Sequence, residues 1–182
     1  MTAILSGLAL ASATGVNAYA TLLVLGILVR TGAVPLQSPT AQFFGHTWVL
    51  AVLAVLYTLE FVADKVPTVD HAWDAVHTFI RPLAGAAAAV AVVSGHHDQG
   101  WVVLAAVLGG ATSLLFHGVK ATARVGVTAA TGGTGNWFVS IVEDIGVVGT
   151  SLAALLLPVL AVLVAAAVLT WLLWRRRRAR SA

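Results

Sequence analysis

Several acidic and basic side chains of this sequence lie inside or beside long apolar segments. Glu60 and Asp64 are four residues apart, so on a helix they share one face, and Lys65 follows directly. At the centre of a membrane helix an acidic or basic side chain costs about 2.5 to 3.5 kcal/mol. The group therefore indicates a cation or proton site, or an acceptor for a cationic helix. For Asp64 and Lys65 a helix end in headgroups and water fits equally well, whereas Glu60, one turn deeper, is predicted to be buried.

A second polar group lies between residues 70 and 82, in a segment too polar to span a membrane. We predict an amphipathic or re-entrant helix here, with Pro82 at the start of the next span. Its ionisable stripe could be solvated at the surface or turned inward over a polar cavity, and the short apolar segment that follows favours the inward arrangement. The stripe consists of Asp70, Asp74, His77 and Arg81.

A third group combines a basic stripe with two acids. His117, Lys120 and Arg124 recur at helical spacing on one face. Glu143 and Asp144 are adjacent, so on a helix they point about 100° apart and cannot both face one neighbour. We predict that Lys120 or Arg124 neutralises one of these acids. A structural ion pair and a transport mechanism explain this group equally well.

Motifs for other chemistries are absent from the sequence. There is no cysteine, which excludes disulfides, thiolate metal sites and cysteine nucleophiles. The H-E-x-x-H, H-x-H and D-x-D spacings are missing, as are nucleophile motifs, phosphate loops and dinucleotide fingerprints. We therefore predict no enzyme activity, no cofactor and no metal.

The polar positions selected by these arguments are candidates for a solute or ion pathway. Their acids and bases nearly balance, which fits a self-neutralising network around a small cavity better than a pore selective for one ion sign. The candidates are Asn17, Glu60, Asp64, Lys65, Asp70, Asp74, His77, Arg81, His117, Lys120, Arg124, Asn136, Glu143 and Asp144.

The composition requires lipid as the solvent. Of the residues, 59% are hydrophobic and 9% are charged, whereas a soluble domain is about half apolar and about a quarter charged. Half of the basic residues lie in residues 175–182, a cytoplasmic flank suited to anionic headgroups and not a nucleic-acid site. The predicted partners are the lipid bilayer and a small solute, ion or lipid headgroup, with a homo-oligomer left open and no nucleic acid.

An all-α bundle of about six transmembrane spans would position these groups. A hydrocarbon core of about 30 Å needs about 20 helical residues, and no segment alternates as a barrel strand does. Residues 1–174 are predicted to form one membrane domain, with a tight hairpin at Pro158, and residues 175–182 a basic tail. Whether the third span crosses completely is left open. The predicted spans are Ile4–Val29, Trp48–Ala63, Leu83–Val93, Trp101–Val119, Trp137–Leu156 and Val159–Trp174.

Basic residues near the span ends predict the orientation. Lys65, Arg81, Lys120, Arg124 and the tail fall on one side of the predicted membrane, and Arg30 falls on the other. The positive-inside rule then places both termini in the cytoplasm. Because no charged residue precedes Arg30, the first apolar segment is predicted to be a retained span and not a cleaved signal peptide.

Two short segments resemble each other. Residues 15–20 read GVNAYA and residues 118–123 read GVKATA, and each precedes a linker and a span that begins with tryptophan. This pattern predicts an inverted repeat of three helices plus three, a plan common in transporters. In sequence so rich in glycine, alanine and valine, chance explains the match equally well.

The same residues resemble the bacterial membrane-protein family called domain of unknown function 4126. The resemblance runs over most of the chain up to the last apolar span, and the stretch from Glu60 to Pro82 is its most specific part. It implies a small multi-pass protein of the bacterial cytoplasmic membrane and no catalytic roles. The positions that carry it lie in residues 15–19, 60–67, 70–82, 117–124 and 136–144.

Three functions remain as hypotheses. A small transporter or channel-like protein for a solute, ion or lipid would have a water-accessible cavity, and neutral replacement of Glu60 or Arg81 would abolish flux in a folded protein. A scaffold or regulatory subunit would have a dry, paired network, and the same replacements would lower stability. An intramembrane enzyme acting on a lipid would bring carboxylates together at a lipid-accessible groove, but no reaction-specific motif supports it.

Overall fold

In a computed structural model of the chain, the described part comprises residues 2–65, 67–95 and 97–157. These residues form an all-helical structure without strands, as predicted for the fold class. The sixth predicted span, Val159–Trp174, and the basic tail lie outside the described residues. The helices are α1 (Thr2–Val16), α2 (Ala18–Arg30), α3 (Pro39–Gly45), α4 (Thr47–Ala63), α5 (Pro67–Val93), α6 (Gln99–Thr131) and α7 (Asn136–Leu156).

The first predicted span is interrupted, so the prediction of one helix from Ile4 to Val29 is wrong. Asn17 has extended backbone angles, φ −145° and ψ 104°, and separates α1 from α2. Its side-chain Oδ1 accepts a hydrogen bond from the Ala20 backbone N–H at 2.9 Å, so it acts as the N-cap of α2. The asparagine side chain thus replaces a backbone acceptor and satisfies the Ala20 N–H. This lowers the free-energy cost of interrupting a helix within an apolar segment.

The second predicted span agrees closely with α4. Before it, the short helix α3 is joined to α4 at a bend of 69°. Ser38 caps α3 and also donates a hydrogen bond to the Ala91 carbonyl at 2.5 Å, which ties this bend to α5. The pair α3 and α4 together is apolar enough to count as one bent span.

Helix α5 joins two segments that the sequence analysis separates. The polar segment and the third predicted span, Leu83–Val93, form one continuous helix of 27 residues with Pro82 in its interior. Pro82 therefore does not open a new helix, and the prediction is wrong at this point. A proline inside a helix removes one backbone hydrogen bond, but packing of α5 against α1 and α6 supports the helix.

Helices α6 and α7 contain the fourth and fifth predicted spans. Helix α6 has 33 residues, about 50 Å at the helical rise, so it is longer than one crossing needs. Gly132 ends it in the left-handed conformation, with φ 61°, where a residue with a side chain would be strained. Helix α7 differs from its prediction by a single residue at the start.

Glycines allow α5 and α6 to pack with their backbones close together. A Cβ atom on Gly109 would lie 2.6 Å from the Gly85 carbonyl oxygen and 2.7 Å from the Ala89 Cβ. A residue as small as glycine at position 109 allows the backbones of two membrane helices to approach closely. Among the described residues, no atom lies within 4 Å of a Cβ added at Gly146 or Gly149.

The polarity of the molecule is inverted relative to a soluble protein. Large apolar side chains are exposed, among them Phe79 and Leu83, at 77% and 73%, while Arg81 and Arg124 are fully buried. Three described helices are long and apolar enough to cross a membrane, or four if the bent pair counts as one span. Lipid accounts for such a surface.

Candidate functional site

The first of two ionic groups lies between α4, α5 and α6, and we call it the Arg81 cluster (Glu60, Asp74, Arg81 and His117). Arg81 Nη2 donates to Glu60 Oε1 at 2.8 Å, and both side chains are completely buried. Its Nη1 lies 3.2 Å from Asp74 Oδ1. The inward arrangement predicted for the polar stripe is therefore confirmed for Asp74, His77 and Arg81, all of which are buried.

Hydrogen bonding assigns the protonation state of His117. Arg81 Nη1 donates to His117 Nδ1, and a guanidinium has no acceptor capacity, so Nδ1 carries a lone pair. The proton is then on Nε2, which donates to Thr78 Oγ1 at 3.0 Å, and that hydroxyl donates to the Asp74 carbonyl at 3.1 Å. His117 is therefore neutral and adds no positive charge to the cluster.

The second group, the Arg124 cluster, consists of Asp64, Lys120, Arg124 and Glu143. Asp64 Oδ2 accepts from Lys120 Nζ at 2.9 Å and from Arg124 Nη2 at 3.1 Å. Arg124 Nη2 also lies 2.5 Å from Glu143 Oε2. The predicted neutralisation of an α7 acid by a basic residue of α6 is confirmed for Glu143.

Asp144, the other acid of the adjacent pair, points to the interruption between α1 and α2. Its Oδ1 accepts from Asn17 Nδ2 at 3.0 Å. On the other side of the interruption, Lys120 Nζ donates to the carbonyl of Val16 at 3.1 Å. That carbonyl belongs to the last turn of α1, where a cation complements the free carbonyls and the helix dipole.

The structure thus brings together nearly all the predicted positions. Asn136 lies at the edge of the Arg124 cluster, where its carbonyl faces Arg124 Nη1 at 3.4 Å. Lys65 is half-buried and apart from the ion pairs, because its Nζ donates to the Phe61 carbonyl at 2.7 Å and lies over the Phe61 ring. The side chain of Asp70 lies outside the described residues.

Two hydroxyl residues that the sequence analysis missed support the Arg81 cluster. Ser113 Oγ donates to the Arg81 carbonyl at 2.7 Å, and Thr14 Oγ1 donates to Ser113 Oγ at 3.0 Å. Both residues are completely buried. Isolated hydroxyls in apolar helices are common, so the sequence offers no signal that separates these two from others.

The charge balance differs from the near-neutrality that the sequence indicates. Five acids, Glu60, Asp64, Asp74, Glu143 and Asp144, accompany three buried cations, Arg81, Lys120 and Arg124. Even if Lys65 is counted, the described network has an excess of negative charge. Among the described residues, the carboxylate atoms Glu60 Oε2, Asp64 Oδ1 and Asp144 Oδ2 are buried and have no hydrogen-bond partner.

A groove of about 250 Å³ reaches this network from the surface. It lies along α1, between α6 and α7, and Phe116, Val147 and Thr150 are among its lining residues. Glu143 is the charged residue in its lining, and its side chain is 17% exposed. No set of three His, Asp or Glu side chains in the described part of the chain is arranged to hold a metal ion.

The fold and the buried charges together define a multi-pass helical membrane protein with an ionic network in its interior. Residues 4–178 match the family described as Domain of unknown function (DUF4126), and the chain belongs to this family. The resemblance found in the sequence is therefore confirmed. No curated protein and no solved structure matches the chain.

Proposed function

We propose that this protein moves a small cation or cationic solute across the membrane, and that the interruption at Asn17 is the centre of the pathway. The interruption carries the proposal. In many transporters the substrate or coupling-ion site is formed where a membrane helix is broken, because helix ends offer unpaired backbone groups at the depth of the bilayer.

The contacts at the interruption support this interpretation. Lys120 satisfies the carbonyl end of α1, and Asn17 links the amino end of α2 to Asp144. Lys120 also belongs to the Arg124 cluster through Asp64. A movement of charge at the interruption would therefore change the electrostatic interactions of the Arg124 cluster through Lys120.

The excess of negative charge indicates the sign of the transported species. A buried carboxylate without a counter-charge is costly, and a bound cation or a proton removes that cost. The groove between α6 and α7 gives access to Glu143 at the edge of the network. A solute entering there would meet the Arg124 cluster first.

One observation favours a structural role for part of the network. The Arg81–Glu60 pair is fully enclosed at 2.8 Å and is held further by Asp74 and His117. Such an arrangement has the dry, paired character expected of a scaffold. The two roles are compatible if the Arg81 cluster holds the helices and the Arg124 cluster borders the pathway.

Flux into proteoliposomes tests the proposal. The purified full chain would be reconstituted and examined with protons, alkali cations, ammonium and small organic cations, with anionic solutes and lipid headgroups as comparison. We expect uptake of at least one cation above that of protein-free liposomes. Glu143→Gln should abolish this uptake while the variant remains monodisperse.

Thr150→Val is the matched control, because it changes another groove-lining residue of α7 without changing charge. It should retain the wild-type flux. If the wild-type protein carries none of the panel, or carries anions only, the proposed function is wrong. If the protein carries a cation and Glu143→Gln carries it equally well, the pathway has been placed incorrectly.

A further inference from the structure

Within the described part of the chain, three buried polar atoms without a hydrogen-bond partner follow one another along a single face of α7. They are Asn136 Oδ1, Ser140 Oγ and Asp144 Oδ2. Asn136 and Ser140 are completely buried and Asp144 is 7% exposed. Buried polar atoms are nearly always hydrogen-bonded to protein or to ordered water, so three in succession on one face call for an explanation.

Their spacing suits bound water. Residues four apart on a helix are separated by about 6 Å along the axis, and a water molecule with two hydrogen bonds of about 2.8 Å bridges a similar distance. The row begins at Asn136, beside the exposed turn at Thr134, and ends at Asp144, opposite Asn17. A hydrogen-bonded file could therefore run from the end of α7 to the interrupted helix.

The charged surroundings of Asp144 favour a proton as the ligand at the end of this file. Helix α1 has no ionisable side chain, and in α2 Arg30 donates to the Gly45 carbonyl whereas Tyr19 faces the Arg81 cluster. Lys120, a buried cation near Asp144, is already bound to Asp64 and Val16. Tyr57, Glu60, Asp64, Lys65 and Lys120 each interact electrostatically with Asp144.

A metal cation would need several converging oxygens, and the described residues offer no group of three acids or histidines arranged for one. A proton needs one free carboxylate oxygen, which Asp144 Oδ2 supplies. Its uptake converts the carboxylate to a neutral carboxylic acid and removes one uncompensated negative charge from the network.

We propose that Asp144 is a proton-binding site, and that Asn136 and Ser140 hold the water file through which the proton arrives. This inference rests on the proposed function, because it makes the proton the transported or coupling ion. In the orientation that the basic residues predict, the file opens toward the cytoplasm. Asn17 positions the carboxyl by donating to its other oxygen.

Two measurements on the full chain test the proposal. Infrared difference spectroscopy between mildly acidic and mildly alkaline pH should show a carboxylic acid band that shifts in heavy water and disappears in Asp144→Asn. Proton flux driven by a potassium diffusion potential should fall in Asp144→Asn to the level of protein-free liposomes. Ser140→Ala should lower it by about tenfold, the effect of one lost hydrogen bond in the relay.

Ser151→Ala is the matched control for Ser140→Ala. Both serines are completely buried on α7, but Ser151 Oγ is already bonded to the Val147 carbonyl at 2.7 Å. Its replacement should leave proton flux unchanged. Thermal unfolding of each variant in detergent shows whether the protein is folded. The infrared band reports protonation of Asp144 even in a protein that transports nothing.

The possible outcomes separate the two proposals. Loss of the band and of flux in Asp144→Asn, with Ser151→Ala normal, supports both. A titrating Asp144 band in a protein that carries no ion retains the proton site and overturns the transport function. Cation flux that is independent of the pH gradient and unchanged in Asp144→Asn, or the absence of an Asp144 band, overturns the proton site alone.

Discussion

Arg81 shows how a fully buried guanidinium is accommodated in this protein. It contacts Glu60, Asp74 and His117, and its carbonyl accepts from Ser113. Removing one member of such a group leaves a buried charge without its partner. The free-energy penalty of that unpaired charge is larger than the net stabilisation that the intact pair provides. The Arg81 cluster should therefore respond to single and double replacements in different ways.

We predict that Arg81→Met lowers the free energy of unfolding by about 3 to 5 kcal/mol, because Glu60 then remains buried without its partner. The double variant Glu60→Gln with Arg81→Met should lose less than the sum of the two single variants. Chemical unfolding in detergent micelles measures these differences.

Asp98→Asn is the control for the acid-to-amide change. Asp98 is exposed and accepts from the Trp101 backbone N–H at 3.2 Å at the start of α6, and asparagine caps a helix equally well. This variant should unfold like the wild type. Strict additivity in the double variant would show that Glu60 and Arg81 are not energetically coupled.

At the scale of the helices, two features decide how the network forms. The interruption at Asn17 turns a single span into two helices whose facing ends meet Lys120 and Asp144. The close contact of α5 with α6, through Gly85 and Gly109, brings Arg81 next to His117. A change in helix separation should therefore disturb the ionic groups as well as the packing.

We predict that Gly109→Ala lowers the free energy of unfolding by about 1 to 3 kcal/mol, because its Cβ would press against the Gly85 carbonyl and force the helices apart. Gly118→Ala, in the same helix, should be neutral or stabilising by up to about 1 kcal/mol, because no atom of the described residues lies within 4 Å of its added Cβ. Unfolding in detergent compares the two. Equal effects would mean that the α5–α6 contact is looser than described.

At the scale of the whole molecule, the apolar exterior and the ionic interior follow from lipid as solvent. Charged side chains that cannot reach water pair inside the bundle, and apolar side chains cover the surface. The distribution of basic residues adds a predicted direction, with both termini in the cytoplasm. That direction bears on which end of the α7 file receives protons.

The absence of cysteine from the sequence permits a direct test of orientation. Gln37→Cys, in the exposed loop after α2, should react with a membrane-impermeant thiol reagent on intact cells. Thr134→Cys, in the exposed turn before α7, should react only after the membrane is opened. The reverse pattern would invert the orientation, and labelling of both from outside would contradict the predicted number of crossings between these loops.

The sequence alone determined the solvent, the all-helical class, the family and most residues of the ionic network. A charged residue in an apolar helix carries a high free-energy cost, so each such residue can be identified from its local sequence without knowledge of its partner. It also predicted that a basic residue of α6 would neutralise one of the adjacent acids Glu143 and Asp144, and the structure shows that this acid is Glu143. Only the tertiary structure decided which charges pair. Asp144 turned out to bind Asn17, and His117 to act as a neutral acceptor, because contacts between distant helices leave no periodic trace in the chain. The interruption at Asn17 and the continuity of α5 through Pro82 were likewise decided by packing, which overrides local propensity where neighbouring helices satisfy the backbone.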